Sequence, residues 1–130
     1  MLSLSPAVRI FVAQGATDLR RSFDGLCALV EQVLSRDPFS GHLFVFFNRR
    51  RDRVKLLAWD TSGFWLFYKR LEAGTFSAPA GLGPCVELSA CELLLLLEGI
   101  ELRAVHQRRR YRRVVAASAG GEAPSLDFHS

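Results

Sequence analysis

Runs of apolar residues separated by turn residues predict several short strands. Val8–Ala13 is apolar and rich in β-branched residues, and Leu43–Phe47 is a continuous apolar and aromatic run. Two further runs, Val54–Trp59 and Phe64–Lys69, flank Asp60-Thr61-Ser62-Gly63, which suits a type I hairpin turn. Residues 43–69 are therefore predicted to form an antiparallel meander.

Apolar residues at intervals of three or four predict a long N-terminal helix. Thr17 or Asp18 is placed to cap its start, and Pro38 should end it near Ser35, since proline disfavours helical backbone in the residue before it. The predicted buried stripe consists of Leu19, Phe23, Leu26, Val30 and Val33.

A second helix is predicted near the C-terminal end of the hydrophobic pattern. Ser89 and Glu92 have the spacing of a capping box, Leu93–Leu97 is apolar nearly all round, and Gly99 is placed to end the helix. The helix should be short.

The remaining segments carry weaker signals. A turn at Glu72-Ala73-Gly74 can return a fourth short strand through Thr75 and Phe76, residues 77–85 (SAPAGLGPC) are predicted to be a loop, and Glu101–Arg103 can add an edge strand. The prediction is an α+β protein with one domain over residues 1–105. An antiparallel sheet of about four to five strands packs against one long N-terminal and one short C-terminal helix, and a basic, flexible tail spans residues 106–130.

Composition adds a clustered positive charge to this picture. The 130 residues include 17 Lys and Arg against 13 Asp and Glu, which gives a net charge of +4 and favours an anionic partner. Ten of the 17 cations lie in two short windows: Arg49, Arg50, Arg51, Arg53 and Lys55, then Arg108, Arg109, Arg110, Arg112 and Arg113. Such clustering is typical of nucleic-acid binding, because a polyanion rewards adjacent contacts, and it is also common on solvated turns.

Metal, cofactor and catalytic signals are weak. The three cysteines, Cys27, Cys85 and Cys91, form no C-x-x-C pair and lie at no ligand-like spacing from the histidines, so we expect no zinc site and assign the cysteines to packing. Five aspartates could hold metal ions for phosphoryl transfer, but each has a simpler role as a cap, surface, turn or charge partner: Asp18, Asp24, Asp37, Asp52 and Asp60. We expect no enzyme activity and no cofactor. The lack of a secretory signal or an apolar run of about 18 residues predicts a cytoplasmic protein.

The segment Asn48–Asp60 leaves two interpretations of its charge open. The cations fan out around a hairpin tip, where guanidinium groups can bind phosphates or can simply face solvent. The aromatic residues of the neighbouring strands, Trp59, Trp65, Phe67 and Tyr68, can stack on bases if they are exposed, but such residues usually pack in the core.

Five stretches in unbroken order carry a further signal: DLRRSFDGL (18–26), DPFSGHLFVF (37–46), NRRRDRVK (48–55), WDTSGFWLFYKRL (59–71) and LSACELLLLLEGI (88–100). Together they resemble the TnpB accessory proteins, which are encoded by the second open reading frame of insertion sequences of the IS sixty-six family. That family shares only its name with the RNA-guided nucleases called TnpB. The resemblance implies a role in transposition beside a separate, larger transposase that carries the catalytic acids.

Two hypotheses follow, a DNA-binding accessory factor and a module that recruits or stabilises the transposase without touching DNA. The predicted nucleic-acid-binding residues are Arg49, Arg50, Arg51, Arg53, Lys55, Lys69 and Arg70. The predicted partner surface consists of Trp65, Phe67, Tyr68, Leu94 and Leu97. The expected partners are the DNA of the element ends and a transposase subunit, with no membrane and no small-molecule substrate.

Overall fold

A computed structural model of the protein describes residues 7–99, which contain five strands and two helices. The elements in chain order are β1 (Ile10–Ala13), α1 (Phe23–Gln32), β2 (Leu43–Phe47), β3 (Arg53–Asp60), β4 (Gly63–Arg70), β5 (Cys85–Leu88) and α2 (Ala90–Leu97). The α+β class is confirmed. The predicted strand at Glu101–Arg103 and the basic tail lie outside the described residues.

The strands form one mixed sheet in the order β4-β3-β2-β1-β5, so the prediction of an antiparallel sheet is wrong. The three strands of the predicted meander do pair antiparallel in chain order, β2 with β3 and β3 with β4. However, β1 runs parallel to β2, with Ile10 beside Leu43. A parallel pair needs a long crossover connection, and the chain supplies one in the segment that contains α1.

The strand that follows β4 differs from the prediction of a short strand through Thr75 and Phe76. Thr75 and Phe76 lie in irregular backbone, although Phe76 is buried. The fifth strand, Cys85–Leu88, falls at the end of the predicted loop and pairs antiparallel with β1. It begins directly after Pro84, which has no N–H to offer a ladder, and it occupies an edge of the sheet.

Helix α1 is shorter than its apolar stripe predicted. It begins at Phe23, with Ser22 as an N-cap whose side chain makes no capping hydrogen bond, so neither Thr17 nor Asp18 caps it. Leu19 is buried from the preceding turn, whereas Phe23 and Val33, two members of the predicted stripe, are 41% and 53% exposed. Ser35 takes a left-handed φ of 54°, which ends the helical path before Pro38.

Helix α2 follows its sequence signals closely. The Ser89 hydroxyl accepts from the N–H of Glu92, and the Glu92 carboxylate accepts from the N–H of Ser89, which completes the predicted capping box. Gly99 has a φ of +82°, the left-handed conformation in which glycine is favoured after a helix.

The two helices cover opposite faces of the sheet. Successive strand residues point to opposite sides, and the strand residues that pack with α1 alternate with those that pack with α2. On the α2 face, Leu93 and Leu96 pack with Val12, Val45 and Leu56. On the α1 face, a second cluster comprises Leu26, Val30, Phe11, Phe44, Phe46 and Leu57. Strands β4 and β5 form the two edges of the sheet, and β4 is the longer and the more exposed of the two.

Candidate nucleic-acid interface

The arginine loop, Asn48–Asp52, connects β2 to β3 and has a fixed internal structure. The Asn48 side-chain oxygen accepts from the N–H groups of Asp52 (3.1 Å) and Arg53 (3.0 Å), and its amide nitrogen donates to the Asp52 carboxylate at 2.7 Å. One asparagine therefore satisfies both backbone donors at the end of the turn. The loop presents its arginines from a rigid base.

The loop is also tied to the segment that follows β4. The N–H of Phe76 donates to the carbonyl oxygen of Arg51 at 2.6 Å, and the N–H of Leu71 donates to that of Asp52 at 2.8 Å. Arg51 takes a left-handed φ of 58°, a conformation that costs energy for a residue with a Cβ. The side chains of Arg49, Arg50 and Arg51 are all exposed.

A cleft of about 440 Å³ opens beside the loop, at one end of the α1 face. Its basic groups are Arg20, Arg50 and Arg53, its acidic groups are Asp18 and Asp52, and Tyr68 lines it as well. We call it the arginine cleft. Arg20 comes from the segment between β1 and α1 and was not among the predicted site residues. The tandem Arg20-Arg21 is a sequence signal for a basic site, but the prediction placed both arginines within the first helix.

Both carboxylates of the cleft are already engaged. The guanidinium of Arg20 donates to Asp18 at 2.7 Å, and hydrogen bonds from the Arg20 side chain and backbone lower the pKa of Asp18 to about 2. The Asn48 amide lowers the pKa of Asp52, and the charges of Arg50 and Arg53 act in the same direction. Both acids are therefore ionised at neutral pH and held by local partners.

Two arginines face each other across the ladder next to the cleft. Arg53 on β3 pairs directly with Arg70 on β4, so their side chains lie on the same face of the sheet. Like charges in such a position destabilise a sheet. Arg53 donates to the Tyr68 hydroxyl at 3.0 Å, and Arg70 lies 3.2 Å from the exposed carboxylate of Glu72. An anionic ligand would relieve the repulsion between the two guanidinium groups.

Lys55 is placed as a brace under the cleft. Its side chain is nearly buried, and its ammonium donates to the carbonyl oxygen of Arg21 at 2.9 Å while lying 5.0 Å from the centre of the Tyr68 ring. It therefore holds the Arg20-Arg21 segment and the Tyr68 ring together.

The seven predicted nucleic-acid-binding residues do not form one surface. Arg49, Arg50, Arg51, Arg53 and Arg70 are exposed on the loop and the adjoining strand ends, whereas Lys55 is nearly buried. Lys69 faces the opposite side of the sheet, where its ammonium donates to the carbonyl oxygen of Leu97 at 2.7 Å and lies 3.7 Å from Glu98.

The five residues of the predicted partner surface are also divided. Trp65 is 57% exposed on the α2 face and stacks beside Phe67 with ring centres 6.1 Å apart. Tyr68 lies on the other face. On α2, Leu94 is 51% exposed, whereas Leu97 is partly buried and packs against the core.

Four of the five aspartates, Asp18, Asp37, Asp52 and Asp60, accept local hydrogen bonds. Asp60 accepts hydrogen bonds from the N–H groups of Ser62 and Gly63 and from the Trp65 indole, so it closes the β3–β4 turn as predicted, and these bonds lower its pKa. Between residues 7 and 99, no three His, Cys, Asp or Glu side chains come close enough together to hold a metal ion. Over the same range, no helix has the length and apolar character needed to cross a membrane.

The cysteines only partly follow the prediction of packing. Cys27 and Cys85 are half-buried, and burial raises the pKa of the Cys27 thiol. Cys91 is exposed, so for this residue the prediction is wrong. All three are free thiols.

Residues 8–107 match the family described as IS66 Orf2 like protein. The chain belongs to this family. Two proteins of Sinorhizobium fredii (strain NBRC 101917 / NGR234) are similar over most of their length. Uncharacterized protein y4hO is 38% identical over 112 residues, 86% of this chain and 96% of its own, and uncharacterized protein y4jC is 38% identical over 108 residues, 83% and 92% respectively. No solved structure matches the chain significantly. The IS66 Orf2-like family supports an accessory role in an insertion sequence.

Proposed function

We propose that this IS66 Orf2-like protein is a non-catalytic accessory factor that binds the DNA of element ends through the arginine loop and assists a separate transposase. The observation that carries the proposal is the convergence of exposed arginines on a rigid loop. Asn48 fixes the backbone of the loop, so its guanidinium groups are presented to phosphates at a small entropic cost. The unfavourable Arg53–Arg70 pair on the neighbouring strands adds to the positive potential.

Salt dependence of binding to a duplex of the element end tests this proposal. Five phosphate contacts predict that the logarithm of the affinity falls against the logarithm of salt concentration with a slope of about −4 to −5. Replacing Arg49, Arg50 and Arg51 with alanine removes three contacts and should leave a slope of about −2. Absence of binding by the wild-type protein at low salt would refute the proposal.

A control of equal charge separates a local interface from general attraction. Alanine at Arg9, Arg36 and Lys69 also removes three positive charges, but from positions outside the loop. Arg9 pairs with Glu87, Arg36 lies over the Phe11 ring, and Lys69 binds Leu97, so thermal unfolding must first show that this variant is folded. The control should keep most of the wild-type salt slope. Equal losses in the two triple variants would count against a localised interface.

A second candidate function is contact with the transposase through the α2 face. Trp65 and Leu94 are large apolar side chains, each more than half exposed on that side of the molecule. Copurification with the transposase of the same element should be lost in a Trp65→Ser, Leu94→Glu double variant and kept in Phe39→Ser, which alters an equally exposed ring elsewhere. Copurification that survives the double variant would exclude this surface.

A further inference from the structure

Tyr68 is an exposed aromatic ring held in a defined orientation. It is 54% exposed on the outer strand β4, its hydroxyl accepts from Arg53 at 3.0 Å, and the Lys55 ammonium lies 5.0 Å from its ring centre. Lys55 is in turn fixed by its hydrogen bond to Arg21. A ring fixed in this way loses little conformational freedom when another flat group stacks on it.

Three arginines, Arg20, Arg50 and Arg53, line the arginine cleft together with this ring. Arg20 and Asp18 neutralise each other, and Asp52 is held by Asn48. The Arg50 side chain is exposed and its charge acts on Asp52, but the Asp52 carboxylate is already bound by Asn48, so the Arg50 guanidinium keeps its donors for an incoming anion. Arg53 uses one nitrogen on the Tyr68 hydroxyl and retains further donors on its guanidinium. The cleft thus combines phosphate-binding donors with a stacking surface.

The size of the cleft favours a single nucleotide over a duplex. Its volume of about 440 Å³ lies within the roughly 300–1,000 Å³ typical of small-ligand pockets. In a duplex both faces of every internal base are already covered by neighbouring bases, so an internal base cannot lie on Tyr68 unless it leaves the stack. A duplex can bind the arginines at the rim, but it offers no open base face to stack on the ring.

We infer that the arginine cleft binds an unpaired nucleotide, with its base stacked on Tyr68 and its phosphates bound by Arg50 and Arg53. The inference deepens the proposed function and rests on it, because it specifies single-stranded or frayed DNA as the preferred ligand of the same surface. Stacking on an aromatic ring tolerates any base. The preference is therefore for strandedness rather than for sequence.

Fluorescence anisotropy with a labelled oligothymidylate and a labelled duplex of equal length tests the inference. The wild-type protein should prefer the single strand, and Tyr68→Ala should weaken oligothymidylate binding on the order of tenfold or more, while duplex binding changes less than about twofold. Tyr68→Phe keeps the ring and should retain most of the affinity. If Tyr68→Ala is unfolded by circular dichroism, Tyr68→Thr, a residue suited to strands, replaces it.

Trp65→Ala is the matched control, because it removes a ring of similar exposure from the same strand but from the opposite face. It should leave both affinities unchanged. Duplex binding without a single-strand preference, or equal losses on both DNAs in Tyr68→Ala, would overturn this inference and leave the proposed function intact. Failure to bind either DNA would overturn both.

Discussion

Trp65 and Tyr68 lie three residues apart on strand β4 and are almost equally exposed, at 57% and 54%, yet their neighbours differ. Tyr68 contacts Arg53 and Lys55 and lines the arginine cleft. Trp65 stacks on Phe67 and donates to Asp60. Because alternate strand residues point to opposite faces, one strand supplies an aromatic residue both to a basic cleft and to an apolar surface. Exposure alone therefore says little about which ligand an aromatic residue meets.

The two helices that cover these faces differ in how their ends are fixed. On the α2 face, a complete capping box fixes the helix start and Gly99 ends it. On the α1 face, the helix has no side-chain cap and follows a turn that carries Arg20 and Arg21. The α2 face is organised by local sequence signals, whereas the α1 face depends on long-range contacts such as that of Lys55 with Arg21.

The largest expected difference lies in how much one lysine on each face contributes to the free energy of unfolding. Lys55→Met leaves the Arg21 carbonyl without its buried charged donor and should lower the free energy of unfolding by about 1–3 kcal/mol. Lys69→Met removes an exposed contact with Leu97, where water can replace the ammonium, and should cost less than about 1 kcal/mol. Urea denaturation of both variants measures the contrast. Equal losses would show that Lys55 is not a brace.

The helix caps provide the next contrast. Ser89→Ala removes one half of the capping box of α2 and should cost about 1 kcal/mol. Ser22→Ala removes a side chain that makes no capping bond and should change the free energy of unfolding by less than about 0.5 kcal/mol. Thermal melts of the two variants decide between them, and a larger loss in Ser22→Ala would contradict the structure.

Backbone strain distinguishes the arginine loop from the end of α2. Arg51 has a left-handed φ of 58°, so Arg51→Gly should be about 1 kcal/mol more stable than Arg51→Ala, which removes the same charge without relieving strain. At Gly99, with a φ of +82°, alanine should instead cost about 1 kcal/mol. Chemical denaturation gives all three values. Identical stabilities of the two Arg51 variants would argue against the left-handed conformation.

Acid should reveal the smallest effect. The pKa of Asp18 is lowered from 3.8 to about 2, so the stability it contributes is present above pH 3.8 and is lost as the pH falls through about 2. Between these pH values the melting temperature of Asp18→Asn should fall less steeply than that of the wild type. Other carboxylates with lowered pKa values, such as those of Asp52 and Glu87, keep some slope in the variant.

The same substitution has a second expected effect near neutral pH. Asp18→Asn frees Arg20 and removes a negative charge from the cleft, so DNA affinity should rise roughly threefold. Unchanged affinity would show that Arg20 does not take part in DNA binding.

Local patterns predicted much of the secondary structure. The apolar runs at Leu43–Phe47, Val54–Trp59 and Phe64–Lys69 lie in strands, and the Ser89 capping box and the Asp60 turn are present. Each of these signals operates within a few residues. The predicted start of α1 was wrong because Leu19 continues the helical spacing of apolar residues. Leu19 instead lies in the turn before the helix, and this turn places it in the core.

Sheet order and the membership of the cleft needed contacts between distant segments. Periodicity shows that a strand has two faces but not which strand lies beside it, so the parallel pairing of β1 with β2 and the strand at Cys85–Leu88 were missed. Arg20 and Arg53 share the cleft although 33 residues separate them.

Local sequence signals were enough to predict the α+β class, the hairpins, the second helix and a cluster of arginines at a loop. Long-range contacts bury Lys55 and turn Lys69 to the opposite face, and they bring Arg20 and Tyr68 beside Arg50 and Arg53 in the arginine cleft. Charge clustering is a local property of the chain. A binding surface depends on which faces the sheet brings together, and that is set by hydrogen-bonded register and by burial of the two apolar clusters.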